Sequence, residues 1–470
     1  MYTKALVRGW LKGYSGLKYA LSNFLRYQYP HDFDTPIVKD SYPGLEHRLA
    51  LEGLQPHDPD EYLSQIVRFI DYKKSKGNFF TDIDGNAVLD LHCHYGSLPL
   101  GYNHDYMINQ RDSWLYDRFI GHNAKLGELP PNDYADILRK IVMPAAPEGM
   151  NQVHLTDGAI TQANEAGLLA AIQHYAAMHN VSDLSNLTVM GFENAFHGAS
   201  TATLSCSDPY ANRKGVATMD WPLAPFPKIK WPMGRHEAEN RAEEDRCLAV
   251  AKEMIAEHRS NGKDVAAIIV EPITSINNEF ATPYFYKRLR ELSQDEGIVF
   301  VVDETKTGLG STGKLWGHDH WNLKEKPDIV TFGGILSGFF TSYEIAQHYD
   351  FETTADPIKL LQFQALWKAI HKKKLLELVL DSGTFLKIEL GNIEREKGLF
   401  GNIRGYGTFL GFDVRGNHQS TNMERWLQKT GINAFRCGPS TIGLRPALIL
   451  EPKHCAVVRD SLKHYSPSIL

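Results

Sequence analysis

Residues 301–332 read VVDETKTGLGSTGKLWGHDHWNLKEKPDIVTF, and two short apolar runs at the ends of this stretch decide the fold. Ile298–Val302 and Ile329–Phe332 are β-branched and aromatic, and polar or glycine-containing segments bound them. That is the pattern of strands buried on both faces. Two earlier runs of the same kind, Leu187–Phe192 and Ala266–Val270, are separated from their neighbours by helical stretches such as Asn164–His179 and Ala238–His258. Buried strands alternating with helices predict a mostly parallel, doubly wound sheet. Such sheets hold their ligands at the carboxyl ends of the strands.

The strand ends carry residues suited to chemistry. Asp303 closes one strand, and a carboxylate there can pair with a protonated pyridine nitrogen or simply cap a helix. Phe196-His197-Gly198 follows the first run, with an aromatic ring able to stack on a flat ligand. Glu271-Pro272 follows the second, as a pocket residue or a structural ion-pair partner. The last strand, ending at Phe332, leads into Gly333-Gly334-Ile335-Leu336-Ser337-Gly338, and no lysine occurs between Lys326 and Lys359.

Working outward, residues 34–60 are rich in Pro, Asp and Gly and read as an extended lead-in. Residues 77–92, GNFFTDIDGNAVLDLH, form two alternating runs around Asp84-Gly85-Asn86, a hairpin signal. A helical stretch from Lys359 to Glu394 precedes Gly405–Asp413, a strand-like run opening a C-terminal α+β unit. His92-Cys93-His94 would place two imidazoles on one strand face, but no third ligand is visible and no metal site is expected. His371-Lys372-Lys373-Lys374 reads as the cationic end of a helix.

A chain of 470 residues is too long for one ordinary core. Its 43% hydrophobic and 23% charged residues suit a globular protein. A net charge of −6 provides no basic field for nucleic acid. Five scattered cysteines form no CxxC pair and imply a reducing compartment. No apolar stretch is long enough to span a bilayer. From Met1 to His31 there is no Asp or Glu, whereas Lys4, Arg8 and Lys12 recur every four residues beside Leu6, Val7, Trp10 and Leu11. This is the composition of a mitochondrial targeting segment, or of a basic surface helix retained on a partner or membrane surface.

The chain resembles the class III pyridoxal-phosphate (PLP) aminotransferases, and within them the 4-aminobutyrate branch, over roughly residues 33–460. The resemblance rests on MDWPLAPFPKIKWP (219–232), GNFFTDIDGNAVLDL (77–91), LGELPPNDYADILRK (126–140), AAIIVEPI (266–273) and VDETKTGLGSTGKLWGHDHW (302–321). It implies a fold-type I PLP-dependent transferase: a large α/β domain with a mostly parallel seven-stranded sheet, and a small α+β domain from both chain ends. The expected division is an arm at 1–33, the first part of the small domain at 34–110, the large domain at 111–362 and the rest of the small domain at 363–470. The resemblance makes Asp303 the partner of the pyridine nitrogen and Phe196 the stacking ring. It assigns Glu271 and Arg445 to a carboxylate–arginine switch, Thr161 to the cofactor phosphate, and Thr353 or Thr354 to the cofactor phosphate of the neighbouring subunit.

The departures are as specific as the matches. The family's Schiff-base lysine is replaced within a shortened segment by Gly333-Gly334. Ala199 replaces a substrate-binding arginine, and Lys306 replaces a glutamine. The phosphate-cradling turn acquires Asp157 and Ile160, and Ser275–Glu279 replaces a glycine-rich stretch. A missing lysine removes both carbonyl capture and proton shuttling. The expectation is therefore a catalytically inactive, cofactor-free accessory subunit of a mitochondrial assembly such as a respiratory complex or the ATP synthase. It would be a homodimer, or a heterodimer with a related paralogue, on the matrix side or at the inner membrane. The alternatives are an ω-amino-acid aminotransferase using Lys306 as a displaced nucleophile, and a sensor holding PLP, PMP or another anion without a covalent bond.

Overall fold

The computed structural model describes residues 33–39, 44–54, 68–113, 115–120, 136–157, 160–208, 216–349, 356–416 and 419–466. The basic arm, Thr353 and Thr354 lie outside the described residues.

The N-terminal hairpin forms where the alternation placed it. Strands β1 (Ile70–Lys76), β2 (Phe79–Asp82) and β3 (Ala87–Asp90) make an antiparallel meander. The large sheet contains β4 (Gln152–Thr156), β5 (Leu187–Phe192), β6 (Leu223–Ala224), β7 (Asp264–Val270), β8 (Val299–Asp303), β9 (Ile329–Phe332) and β10 (Ser337–Thr341). Its order is β4-β10-β9-β8-β7-β5-β6. Neighbouring strands from β9 through β6 run parallel, and only β10 runs against both of its neighbours. Every residue of β5, β8, β9 and β10 is buried. Full burial of one Val, Ile or Phe contributes about 1.5–3 kcal/mol, so this sheet is the main source of hydrophobic stabilisation.

Helices α1 (Ile160–His179), α2 (Glu237–Ser260) and α3 (Pro283–Asp295) are the crossovers that cover the sheet. A Cβ added to Gly167 of α1 would stand 2.7 Å from Thr331 Cγ2 of β9, so only glycine lets the helix seat this closely on the strands. Beyond the short helix α4 (Tyr343–Ala346), the predicted helical stretch from 359 is two helices, α5 (Pro357–Lys372) and α6 (Leu375–Lys397). Lys374 takes a left-handed conformation (φ 50°) and breaks the run.

The C-terminal sheet is β11 (Phe400–Tyr406) and β12 (Phe409–Val414) with β14 (Phe435–Arg436) and β15 (Thr441–Leu444), ordered β11-β12-β15-β14. The intervening two-residue strand β13 (Ile432–Asn433) instead pairs in parallel with β3. Helices α7 (Gln419–Lys429) and α8 (Pro452–His464) complete this unit. Phe79 and Leu89 from one chain end share a core with Leu386, Phe412, Ile442 and Val458 from the other. The architecture is the expected one: a large mixed sheet, and smaller sheets assembled from both ends of the chain.

Two histidines, one in the core and one half-buried, give the fold an acid sensitivity. His454 is fully buried; its Nδ1 accepts from Glu451 N and lies 3.3 Å from Asn78 Nδ2, against the ring of Phe79. Burial, reinforced by the charge of Lys453, pushes it down to about 4. Burial, reinforced by Lys314, does the same to His320, which stacks on Tyr406 at 4.0 Å. Both bind protons more readily unfolded than folded, so stability is complete above about pH 6.5 and falls as pH drops towards 4. The denaturant midpoint should decline across that window. His454→Gln should remove about 2–3 kcal/mol of the stability lost between pH 6.5 and 4; an unchanged loss would refute the assignment.

Candidate active site

The carboxyl ends of β5, β7, β8 and β9 converge, and the loops leaving them build one buried polar cluster. At its base is Asp303, the last residue of β8. Its Oδ2 accepts from Asn164 Nδ2 on α1 and from His197 Nδ1 beyond β5, both at 2.8 Å. Its Oδ1 accepts from Thr305 N at 2.9 Å and from the Thr305 hydroxyl. Burial alone would raise this carboxyl. The charge of Lys306 and the hydrogen bonds from His197 and Thr305 outweigh it and hold Asp303 below the ordinary carboxylate range. It is a buried, ionised carboxylate.

Asn164 is the organiser. It donates to Asp303 and to His197 O, and it accepts from Thr331 of β9 at 2.5 Å. The sequence reading singled out neither Asn164 nor the His197 contact. The available signal was a polar residue on the face of α1 that otherwise presents Ala163, Ala166, Gly167 and Ala170 to the sheet.

Lys306, three residues beyond Asp303, turns back into the cluster and is buried. Its Nζ donates to Phe196 O at 2.6 Å and to Glu271 Oε1 at 2.8 Å, lies 3.9 Å from Asp303 Oδ2, and stands 5.5 Å from the Phe196 ring centroid. One ammonium thus sits between two buried carboxylates.

Glu271 is saturated. Besides Lys306 it accepts from Ser275 Oγ at 2.5 Å, Ser275 N at 2.9 Å and Phe196 N at 3.1 Å. It forms no ion pair with Arg445, contrary to the expected switch pair, because the cation at 306 has taken its place. Arg445 is buried between the rings of Phe409 and Phe435, 4.6 and 5.0 Å from its guanidinium carbon. Nη2 donates to Ser275 O and Asn278 Oδ1, each at 3.2 Å, and Nε has no partner. Among the described residues no carboxylate pairs with it. Burial makes its proton easier to remove than usual, yet a guanidinium stays charged. An uncompensated buried cation is costly unless an anion meets it.

The remaining candidates fall around this cluster. Thr161, in the first turn of α1, accepts from Ala199 N at 3.2 Å. A Cβ on Gly333 would lie 3.1 Å from Thr305 Cβ and 3.4 Å from Ile160 Cγ1, and Gly334 has φ +97°. The turn after β9 is tight at Gly333, whereas a Cβ on Gly334 would meet nothing closer than Ser97 Cα at 3.7 Å and is opposed there by its left-handed backbone. Residues Cys93–Gly96 are a left-handed turn (φ 45°, 51°, 59° and 84°), not the strand that would have aligned His92 with His94. His92 packs on Tyr95 and Phe435, and His94 is exposed. Among the described residues, no group of three or more His, Cys, Asp or Glu side chains is placed to hold a metal ion.

A polar cluster at these strand ends, around a buried ionised aspartate, sits on the sheet of a fold-type I transferase. Residues 63–465 match the family model described as aminotransferase class-III, and the chain belongs to that family. It is 35% identical over 453 residues to a 4-aminobutyrate aminotransferase of Dictyostelium discoideum, covering 91% of this chain and 90% of that protein. It is 31% identical to the mitochondrial 4-aminobutyrate aminotransferase of Sus scrofa, covering 90% and 89%. The lysine aminotransferase of M. tuberculosis, solved in its internal aldimine form, superposes with a TM-score of 0.80 at 20% identity, covering 89% of this chain and 98% of that one.

These relatives correct the expectation of an inactive accessory subunit. Proteins named for the enzymatic reaction match nine-tenths of the chain. The expectation that the cofactor is lost is corrected with it, because the family is PLP-dependent and its structural neighbour carries the aldimine. The physical error was one of reach. Loss of the amine from the turn after β9 was given more weight than the alternative amine at Lys306, which lies three residues beyond β8 and is buried in the cluster. Among the described residues no helix is long and apolar enough to cross a membrane.

Proposed function

We propose that the protein is a PLP-dependent aminotransferase acting on an ω-amino acid, with Lys306 as the amine that takes up the cofactor. The observation that carries this reading is the burial of Lys306 Nζ within the strand-end cluster, 2.8 Å from Glu271; because the cofactor's carbonyl carbon is para to its ring nitrogen, Nζ must swing away from Asp303, now 3.9 Å off, to reach it. The donor set fits the cofactor best at its ring nitrogen, where the ionised Asp303 would hold a proton on the pyridine. Phe196 would lie against the ring. The phosphate end would draw on Thr161 and on Thr353 or Thr354 of the partner subunit, with the first turn of α1 supplying main-chain N–H groups. When bound, PLP supplies an electrophilic carbonyl carbon and an electron-withdrawing ring.

The chain's own residues supply the rest. In the ligand-free protein Lys306 is the countercharge of both Asp303 and Glu271. A protonated pyridine nitrogen would replace it at Asp303 and release the lysine from that constraint. Glu271, 2.8 Å from Nζ, is placed to take the ammonium proton and leave a nucleophilic amine. Arg445 would bind the substrate carboxylate, satisfying Nε and gaining the anion it lacks. Phe409 and Phe435 keep water from that contact and strengthen it.

The reading also takes the protein to be mitochondrial, as several relatives are named, and to work as a homodimer. Its test needs no substrate. Protein incubated with PLP should show the visible absorption of a lysine-bound cofactor. Borohydride reduction should then leave a phosphopyridoxyl group on the peptide containing Lys306. A colourless protein with Lys306 unmodified would refute the proposal.

A further inference from the structure

One pair of ligating side chains stands apart from the active site, on the outer side of the sheet. His174, on α1, and His348, two residues past α4, point their Nδ1 atoms at each other across 3.1 Å, with ring centroids 5.2 Å apart. Both rings are half-buried. Burial, followed by the neighbouring imidazole, lowers His174 from its ordinary value, while the charges of Asp328 and Glu344 act in the opposite sense. Asp328 is committed to Arg290. Glu344 is exposed on α4 and makes no ion pair among the described residues.

A hydrogen bond between two Nδ1 atoms accounts for their contact, but the same geometry suits a metal. An ion at the usual ~2.0–2.1 Å from each nitrogen would subtend about 95–100°, between the octahedral and tetrahedral angles. Neutral imidazoles are ligands for zinc, copper and nickel. We propose that His174 and His348 form a two-histidine site for a divalent transition metal, completed by water and within the negative field of Glu344, that clips α4 to α1. On binding, the proton shared by the two Nδ1 atoms moves to Nε2 of the ring that carried it. Both rings stay neutral and the ion takes the two lone pairs. Position rather than number of ligands distinguishes the pair: its nitrogens already face one another across 3.1 Å, and the rings must turn about their side-chain bonds to aim both lone pairs at the ion.

The full chain, freed of metal with a chelator, is titrated with Zn²⁺ at neutral pH by calorimetry and thermal unfolding. One saturable site and a rise in Tm are expected. His174→Gln and His348→Gln should each weaken binding about tenfold or more, and the double variant should lose little further. Affinity should fall in acid, where protons compete with the ion for the ring nitrogens. In the unsubstituted protein, Co²⁺ should give the electronic spectrum of nitrogen ligation, a readout independent of any variant's folding. Absence of saturable binding, or binding that survives both substitutions unchanged, overturns the proposal.

Discussion

Replacing Lys306 by alanine should abolish borohydride trapping of PLP and lower aminotransferase turnover by at least about 10²–10⁴-fold, the range expected for loss of a positioned acid–base group alone. The same substitution should also weaken the fold. It leaves the Asp303 and Glu271 carboxylates buried without their shared cation, a change that typically costs about 3–5 kcal/mol. Alanine therefore cannot separate chemistry from structure, and Lys306→Arg can. Arginine keeps the positive charge between the two carboxylates but cannot become a neutral amine at any accessible pH. The arginine variant should keep most of the wild-type Tm while turnover falls as far as in the alanine variant. Turnover by Lys306→Arg near the wild-type rate would show that the amine lies elsewhere.

Much of this architecture was legible because buried strands advertise themselves. Leu187–Phe192 and Ile329–Phe332 were bounded as they stand in the fold, and the 77–92 hairpin turned at the predicted residues. Features set by backbone conformation were not legible. Nothing in the apolar pattern of 359–394 marked the left-handed Lys374 that splits it into two helices, and lysine is an unremarkable helix residue. The left-handed Cys93–Gly96 turn was read as strand for the same reason. In the site, residues matched to motifs were found together: Asp303, Glu271, Phe196 and Lys306 form one cluster. Its wiring was hidden. Sequence separation said nothing of Glu271 exchanging Arg445 for Lys306, because that depends on where a flexible lysine folds back. Asn164 lay unnoticed in an alanine-rich helix, although it ties α1, β8, β9 and the loop beyond β5 into one network.

Asp303→Asn should be the most damaging single change to the site that leaves its shape nearly intact. All four groups around this carboxylate donate to it: Asn164 Nδ2, His197 Nδ1, and the Thr305 amide and hydroxyl. An asparagine presents two donors of its own, so whichever way the amide turns, one face meets donors with donors. Lys306 loses half of its counter-charge in the same step. Breaking a buried charged network in this way should destabilise the protein by about 3–5 kcal/mol. A neutral amide also cannot hold a proton on the pyridine nitrogen, so turnover should fall by about 10²–10³-fold, as when a preorganised electrostatic partner is removed. A pH signature separates these effects from general damage. Because Asp303 binds its proton less readily folded than unfolded, the stability it confers is complete above the unfolded carboxylate range, near pH 4, and is lost as pH falls below it. Wild-type protein should therefore lose stability below about pH 4 more steeply than Asp303→Asn, and the two denaturation curves should converge in acid. Parallel curves would mean that Asp303 is not the ionised, lysine-paired carboxylate on which the cofactor reading rests.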